Sequence, residues 1–165
     1  MPATYEPIAT TTLGTAANNV TFSSIPATYT DLRMVIVTGC DSGATASNFT
    51  FNGDTGSNYS NTNLTGDGTT AASGQATGAF NINALGVLDS STGKRGMTTI
   101  DVFSYAGSTN KTALITTSRD ANGSGTVGRV VGLWRNTAAI TSIRFFVSNN
   151  LCAGSTATLY GILKA

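Results

Sequence analysis

The chain contains no histidine. That removes Ser–His–Asp and Cys–His nucleophile systems, and with them every metal centre built on imidazole. Charge is scarce as well: Lys, Arg, Asp and Glu make up 10% of 165 residues, and the net charge is +1. An average soluble domain carries about 25%. Nucleic acid calls for clustered Lys and Arg, but here Arg33, Lys94, Arg95, Lys111, Arg119, Arg129, Arg135, Arg144 and Lys164 are scattered, with only Lys94 and Arg95 adjacent. Nucleic acid is therefore not an expected partner. No apolar run approaches the roughly 20 residues that a membrane helix needs, so no membrane association is expected. The opening Met1-Pro2-Ala3-Thr4-Tyr5-Glu6 has neither a basic nor an apolar signal region. The expectation is synthesis in a cytosol and release, if any, by lysis. Cys40 and Cys152 end two predicted strands and read as thiols, buried or half-buried; a disulfide would need close Cα atoms and an oxidising compartment.

What the chain does have is apolar residues, 40% of the total, in short regular runs. At this length one domain spanning residues 1–165 can build a core without metals or cross-links. No window shows helical spacing with caps, whereas strand signals recur between Gly, Ser, Asn and Asp clusters. The segments Tyr5–Leu13, Asn19–Phe22, Asp31–Gly39, Asn48–Asn52, Ala79–Leu88, Met97–Tyr105, Lys111–Ser118, Thr126–Trp134, Ile140–Ser148 and Thr156–Leu163 read as strands. Between Gly53 and Gly78 the chain is polar and Gly-rich and reads as one long loop, of the kind that is functional when it occurs in a compact domain. The fold expected is all-β: a two-sheet antiparallel sandwich of jelly-roll or Greek-key type. Its core should include Leu32, Met34, Ile36, Phe51, Ile100, Val102, Trp134, Ile143, Phe145 and Leu159. Phe80, Ile82 and Ala84 should share one face, and Gly132, between Val130 and Trp134, should leave room for a ring to lie flat.

Chemistry-bearing patterns are weak. Glu6, Asp31, Asp41, Asp54, Asp67, Asp89, Asp101 and Asp120 could in principle pair as carboxylates for glycoside hydrolysis, but several stand in Gly-rich turns where Asp is the natural turn former. Asn52-Gly53-Asp54-Thr55-Gly56 and Gly66-Asp67-Gly68 lack the Gly-Lys-Ser/Thr and the helix of a phosphate loop. Asp120-Ala121-Asn122-Gly123-Ser124-Gly125 alternates oxygen ligands but lacks the bidentate Glu of a Ca²⁺ loop, and reads as a hairpin turn. The chain is read as a protein without enzymatic activity, cofactor or metal.

Several segments resemble a family of small virion proteins of tailed phages of marine and cyanobacterial hosts. The matching pieces are Tyr5-Glu6-Pro7-Ile8-Ala9-Thr10-Thr11-Thr12, Val20-Thr21-Phe22-Ser23-Ser24-Ile25-Pro26 and Tyr29-Thr30-Asp31-Leu32. Later ones are Phe51-Asn52-Gly53-Asp54-Thr55-Gly56-Ser57-Asn58-Tyr59, Trp134-Arg135-Asn136-Thr137-Ala138-Ala139-Ile140-Thr141-Ser142-Ile143 and Gly154-Ser155-Thr156-Ala157-Thr158-Leu159-Tyr160-Gly161-Ile162. Members of that family often place a His soon after the Asn-Tyr step, where this chain has Ser60-Asn61-Thr62-Asn63-Leu64, so a role tied to that His does not transfer.

The resemblance implies a location on the virion, without choosing head or tail, and supplies no catalytic residues. The expected function is that of a capsid decoration (cement) protein, free-standing, bound in many copies to the major capsid protein. The alternative is a tail-associated or receptor-binding module contacting host glycans through the Gly53–Gly78 loop and Tyr59. The candidate interface residues are Phe146, Arg144 and Tyr59: Phe146 shares a strand face with Arg144 and serines, and either a loop or a partner must cover it. That exposed ring, with open strand edges, suggests a homotrimer.

Overall fold

The computed structural model describes residues 5–41, 45–88, 95–120 and 122–163. Lys94, Asp89, Lys164 and Ala121 lie outside them. Among the described residues twelve strands run in chain order: β1 Tyr5–Thr12, β2 Ala17–Phe22, β3 Asp31–Thr38, β4 Thr45–Phe51, β5 Tyr59–Gly66, β6 Ala71–Ala79, β7 Ile82–Leu88, β8 Gly96–Phe103, β9 Lys111–Arg119, β10 Thr126–Trp134, β11 Ile143–Leu151 and β12 Thr156–Ile162.

They form two antiparallel sheets, β1-β12-β3-β8-β9-β10-β5-β6 and β2-β11-β4-β7. Pairing of β1 with β12, β2 with β11, β3 with β8 and β4 with β7 is that of one long antiparallel ribbon wound into a barrel-like sandwich. This is the jelly roll. Two hairpins are inserted into it, β5–β6 between β4 and β7 and β9–β10 between β8 and β11. Both join the same sheet and double its width from four strands to eight.

Alternation of side chains explains why these residues make strands with one inward face. In β3 the inward set is Leu32, Met34, Ile36 and Thr38, opposed across the ladder by Val102, Ile100, Thr98 and Gly96 of β8. All ten expected core residues are at most 1% exposed. Phe49 packs edge-to-face on Phe51 within β4 (centroids 5.3 Å apart), and the approach of Phe51 to Trp134 (5.6 Å) joins the smaller sheet to the larger one.

Three expectations are corrected. First, Gly53–Gly78 is not one loop: it contains β5 and most of β6, paired with each other and, through β5, with β10. Second, the segment expected as one strand over Ala79–Leu88 is split, since Ala79 ends β6 and Ile82 begins β7. The turn breaks the alternation, so Ile82 and Ala84 are buried while Phe80 is 63% exposed. Third, the space above Gly132 holds no ring. A Cβ there would stand 2.7 Å from Ile82 Cδ1, so the glycine is what lets β7 close onto β10. The glycine under a ring is Gly161, where a Cβ would come 2.3 Å from Tyr29.

Cys40 is buried and Cys152 half-buried. Asn122 to Gly125 lie between the paired strands β9 and β10, with Gly123 N–H donating to the Asp120 carboxylate at 2.9 Å.

Gly132→Ala should lower the unfolding free energy by about 1–3 kcal/mol through overpacking against Ile82. Gly14→Ala, where a Cβ meets nothing within 4 Å, should stay within about 0.5 kcal/mol of wild type. Urea unfolding of the two variants measures the contrast.

Candidate functional site

Of the three interface residues expected from sequence, Tyr59 is fully buried. It is the first residue of β5, paired with Trp134 at the end of β10, and the two rings stack with centroids 6.4 Å apart. Its hydroxyl accepts from Phe51 N–H (3.1 Å) and donates to the Asp54 carbonyl (3.1 Å). Burial pushes its pKa up to about 12. Tyr59 is thus a structural clamp and is not available to a glycan.

Phe146 and Arg144 do lie together on β11. The Arg144 guanidinium sits over the Phe146 ring, 4.8 Å from its centroid, and the ring is half-buried. A cation–π contact within the chain therefore covers the ring that was expected to await a loop or a partner.

Two functional-looking groups were missed from sequence. Asp54 does form its turn, accepting from Gly56 N–H (2.8 Å) and Asn58 Nδ2 (2.9 Å), but it also accepts from Trp134 Nε1 at 2.7 Å. The Trp134 bond is the main reason its pKa lies below the usual carboxylate value. Lys111 is completely buried; its ammonium donates to the carbonyls of Gly107 (2.6 Å), Thr109 and Thr137 (3.2 Å). Desolvation lowers its pKa. It has no carboxylate among these partners and acts as a strap between two loops. The Trp134 partner of Asp54 and the Thr137 partner of Lys111 are remote in the chain, while Gly107 and Thr109 belong to the turn that leads into Lys111 itself.

The other described acids are also engaged. Glu6 accepts from Tyr29 Oη, Asp31 from Ser104 N–H, Asp41 from Asn150, Asp67 from Thr69 and Thr70, and Asp101 from Arg33. This is turn-forming and bracing chemistry. Among the described residues no three His, Cys, Asp or Glu side chains group as metal ligands.

What remains is a surface. The smaller sheet packs on one side of the larger one, and the larger sheet's other side faces solvent. Register places Val37, Met97, Ser118 and Val127 in one row across β3, β8, β9 and β10. The next row is Val35, Thr99, Thr116, Arg129 and Leu64, and the third is Arg33, Asp101, Leu114, Val131 and Thr62. Leu64, Val127 and Val131 are each at least half exposed, and Met97 nearly so. Leu64, Val127, Thr116, Arg129 and Ala71 line a shallow depression of ≈ 340 Å³.

Charge on these rows is almost self-cancelling. Arg33 and Asp101 form a two-pronged pair, Nε to Oδ1 at 2.5 Å and Nη2 to Oδ2 at 3.0 Å, and the Arg33 guanidinium also lies 5.6 Å from the Tyr5 ring centre. Hydrogen bonding to Asp101 raises the Arg33 pKa. Such a face offers apolar contact and hydroxyl groups with little net field. Contiguous exposed apolar clusters of this kind are a common feature of interaction surfaces. The sequence already contains its outward residues in alternation, yet their common face depends on the strand order.

Compared with family models, with curated proteins and with solved structures, the chain matches none.

Asp54→Ala should lower stability by about 2–4 kcal/mol, since it orphans the Trp134 N–H and removes hydrogen bonds to a charged acceptor. The pH dependence follows from the depressed carboxylate: its stabilisation is present above the unfolded-state pKa and is lost as pH falls through the lower folded value. Wild type should therefore lose stability below about pH 4 more steeply than Asp54→Asn. Unfolding midpoints across the acid range test this.

Proposed function

We propose that the protein is a structural component of a tailed-phage particle, a decoration protein that seats on the head shell with the major capsid protein as its partner. The observation that supports this most is the open face of the eight-stranded sheet, broad, nearly neutral and studded with Leu64, Val127, Val131 and Met97. The resemblance of both ends and the middle of the chain to virion proteins of tailed phages agrees with it. The jelly roll occurs in viral shell proteins and in lectins alike, so the fold is compatible with the reading by analogy only. In this reading the chain is made in the host cytoplasm and works on the particle surface.

A tail module binding glycans loses its proposed contact, because Tyr59 is inside. The trimer loses one of its two motives, because Arg144 covers Phe146. Open strand edges remain.

Decoration acts by mass action. A protein that binds the intact shell and not its separated subunits favours the intact state at every occupied site. A standard interface of about 1,600 Å² would suffice for each copy. Contact through this face should be apolar and hydroxyl-mediated, and little weakened by salt, since screening acts on exposed charges.

Heads stripped of the protein should release DNA at a lower temperature than re-coated heads, by a similar margin at low and high salt. Val131→Glu, on the solvent side of β10, should fold normally and bind heads at least tenfold more weakly. Equal release from bare and coated heads would remove the decoration reading.

A further inference from the structure

We propose that the free edge of β6 is a self-association edge, where a second copy of this chain adds its own β6 in antiparallel register about a two-fold axis. This stands independently of the decoration reading.

Among the described residues β6 borders β5 on one side and no strand on the other. Residues Ala71 to Gly78 are all exposed, so no loop lies over either face or along the edge. Proteins ordinarily defend such an edge with charge, proline, a bulge or short length, because its unpaired N–H and C=O groups are a template for another strand. β6 is nine residues long, AASGQATGA, with neither charge nor proline; its own bulge falls at the far end, at Gly78, and leaves Ala71 to Thr77 in unbroken register with β5. The opposite edge of the same sheet, β1, has such defences: Glu6, Pro7 and a register break between Pro7 and Ala9. The contrast within one sheet is the central observation.

The occupant follows from the chemistry of the two edges. A ladder onto β6 requires an extended strand with its own edge free, and β6 of another copy is one. Antiparallel self-pairing places no like charges opposite each other, since the strand has none. Pairing β6 with β1 of the next copy would instead grow an open filament, and Pro7 and the bulge interrupt that ladder. The isologous pair closes on itself. It joins eight strands from each copy into one continuous sheet. Antiparallel pairing also brings the end of one β6 to the start of the other, so Phe80, exposed just beyond the strand, meets the partner's turn before Ala71. One strand's edge buries less than the roughly 800 Å² per partner of a standard interface, so the free dimer should be weak, dissociating in the high-micromolar range.

The experiment combines sedimentation with a cysteine scan. Wild type should pass from monomer to dimer between micromolar and millimolar concentrations. The Ala72→Lys/Ala76→Lys variant should stay monomeric throughout while keeping the wild-type unfolding midpoint, since both side chains are exposed. In a Cys152→Ser background, single cysteines at Ser73, Gly74, Gln75, Ala76 and Thr77 should form disulfide dimers under copper–phenanthroline, fastest at one or two positions nearest the axis. Thr10→Cys on β1 should not. A wild type that stays monomeric to millimolar concentration, with β6 cysteines no faster than Thr10→Cys, would overturn the proposal. So would preferential cross-linking between β1 and β6 in a mixture of the two single-cysteine proteins.

Discussion

Asp54 stands where the chain leaves the smaller sheet, and its carboxylate holds the indole of Trp134, which belongs to the larger one. Around this bond the whole end of the sandwich is assembled. Tyr59 stacks on Trp134 and returns its hydroxyl to the same turn, through Phe51 and Asp54. Arg135 N–H donates to the Asn58 carbonyl, and Arg135 Nη2 to Ser57. Asn52 braces the neighbouring loop, accepting from the N–H groups of Thr141 and Ser142 and donating to Ala139. A carboxylate bond to an otherwise buried indole N–H is stronger than a neutral one and costly to break. It therefore anchors the start of β5 beside the end of β10, and the register of the inserted hairpin follows.

The two insertions give the molecule its asymmetry. A jelly roll of eight strands would have two sheets of equal width. Placing both hairpins in one sheet leaves four strands to cover eight. The uncovered side is consequently large, and its outward residues are those that a mixed Thr, Val and Leu composition puts there. Rigidity comes from the core beneath, where Ile82 sits against Gly132 and Lys111 ties the loops at Gly107, Thr109 and Thr137. Surface and support are two sides of the same strands.

Much of this was legible from the sequence where burial produces alternation. β3 and β8 bury alternate residues because one face is enclosed, and Leu32, Met34, Ile36, Ile100 and Val102 were expected in the core and lie there, as does Trp134 of β10; the inward residues of β9 were not singled out. β5 and β6 were not read as strands, for a physical reason: YSNTNLTG and AASGQATGA have little to bury, since β6 is exposed on both faces. Their strand character comes from hydrogen bonding to β10 and to each other, which leaves no hydrophobic period to read. Tyr59 was consequently assigned to a loop, although its ring is in the core. Phe146 illustrates the reverse case: its face was identified, but the covering group was its own neighbour at two residues' distance, a contact that depends on the side-chain conformation of Arg144.

By itself the sequence determined the all-β class, the core and the absence of imidazole chemistry, because composition and a period of two are local properties. Only the tertiary structure decided which strands neighbour one another. That order brings Asp54 to Trp134 and Lys111 to the Thr137 carbonyl, and it aligns Leu64, Val127 and Val131 on one open face. It also leaves β6, among the described strands, with β5 alone as a neighbour. Each depends on pairings between residues far apart in the chain, and those are selected by the packing of the whole sandwich.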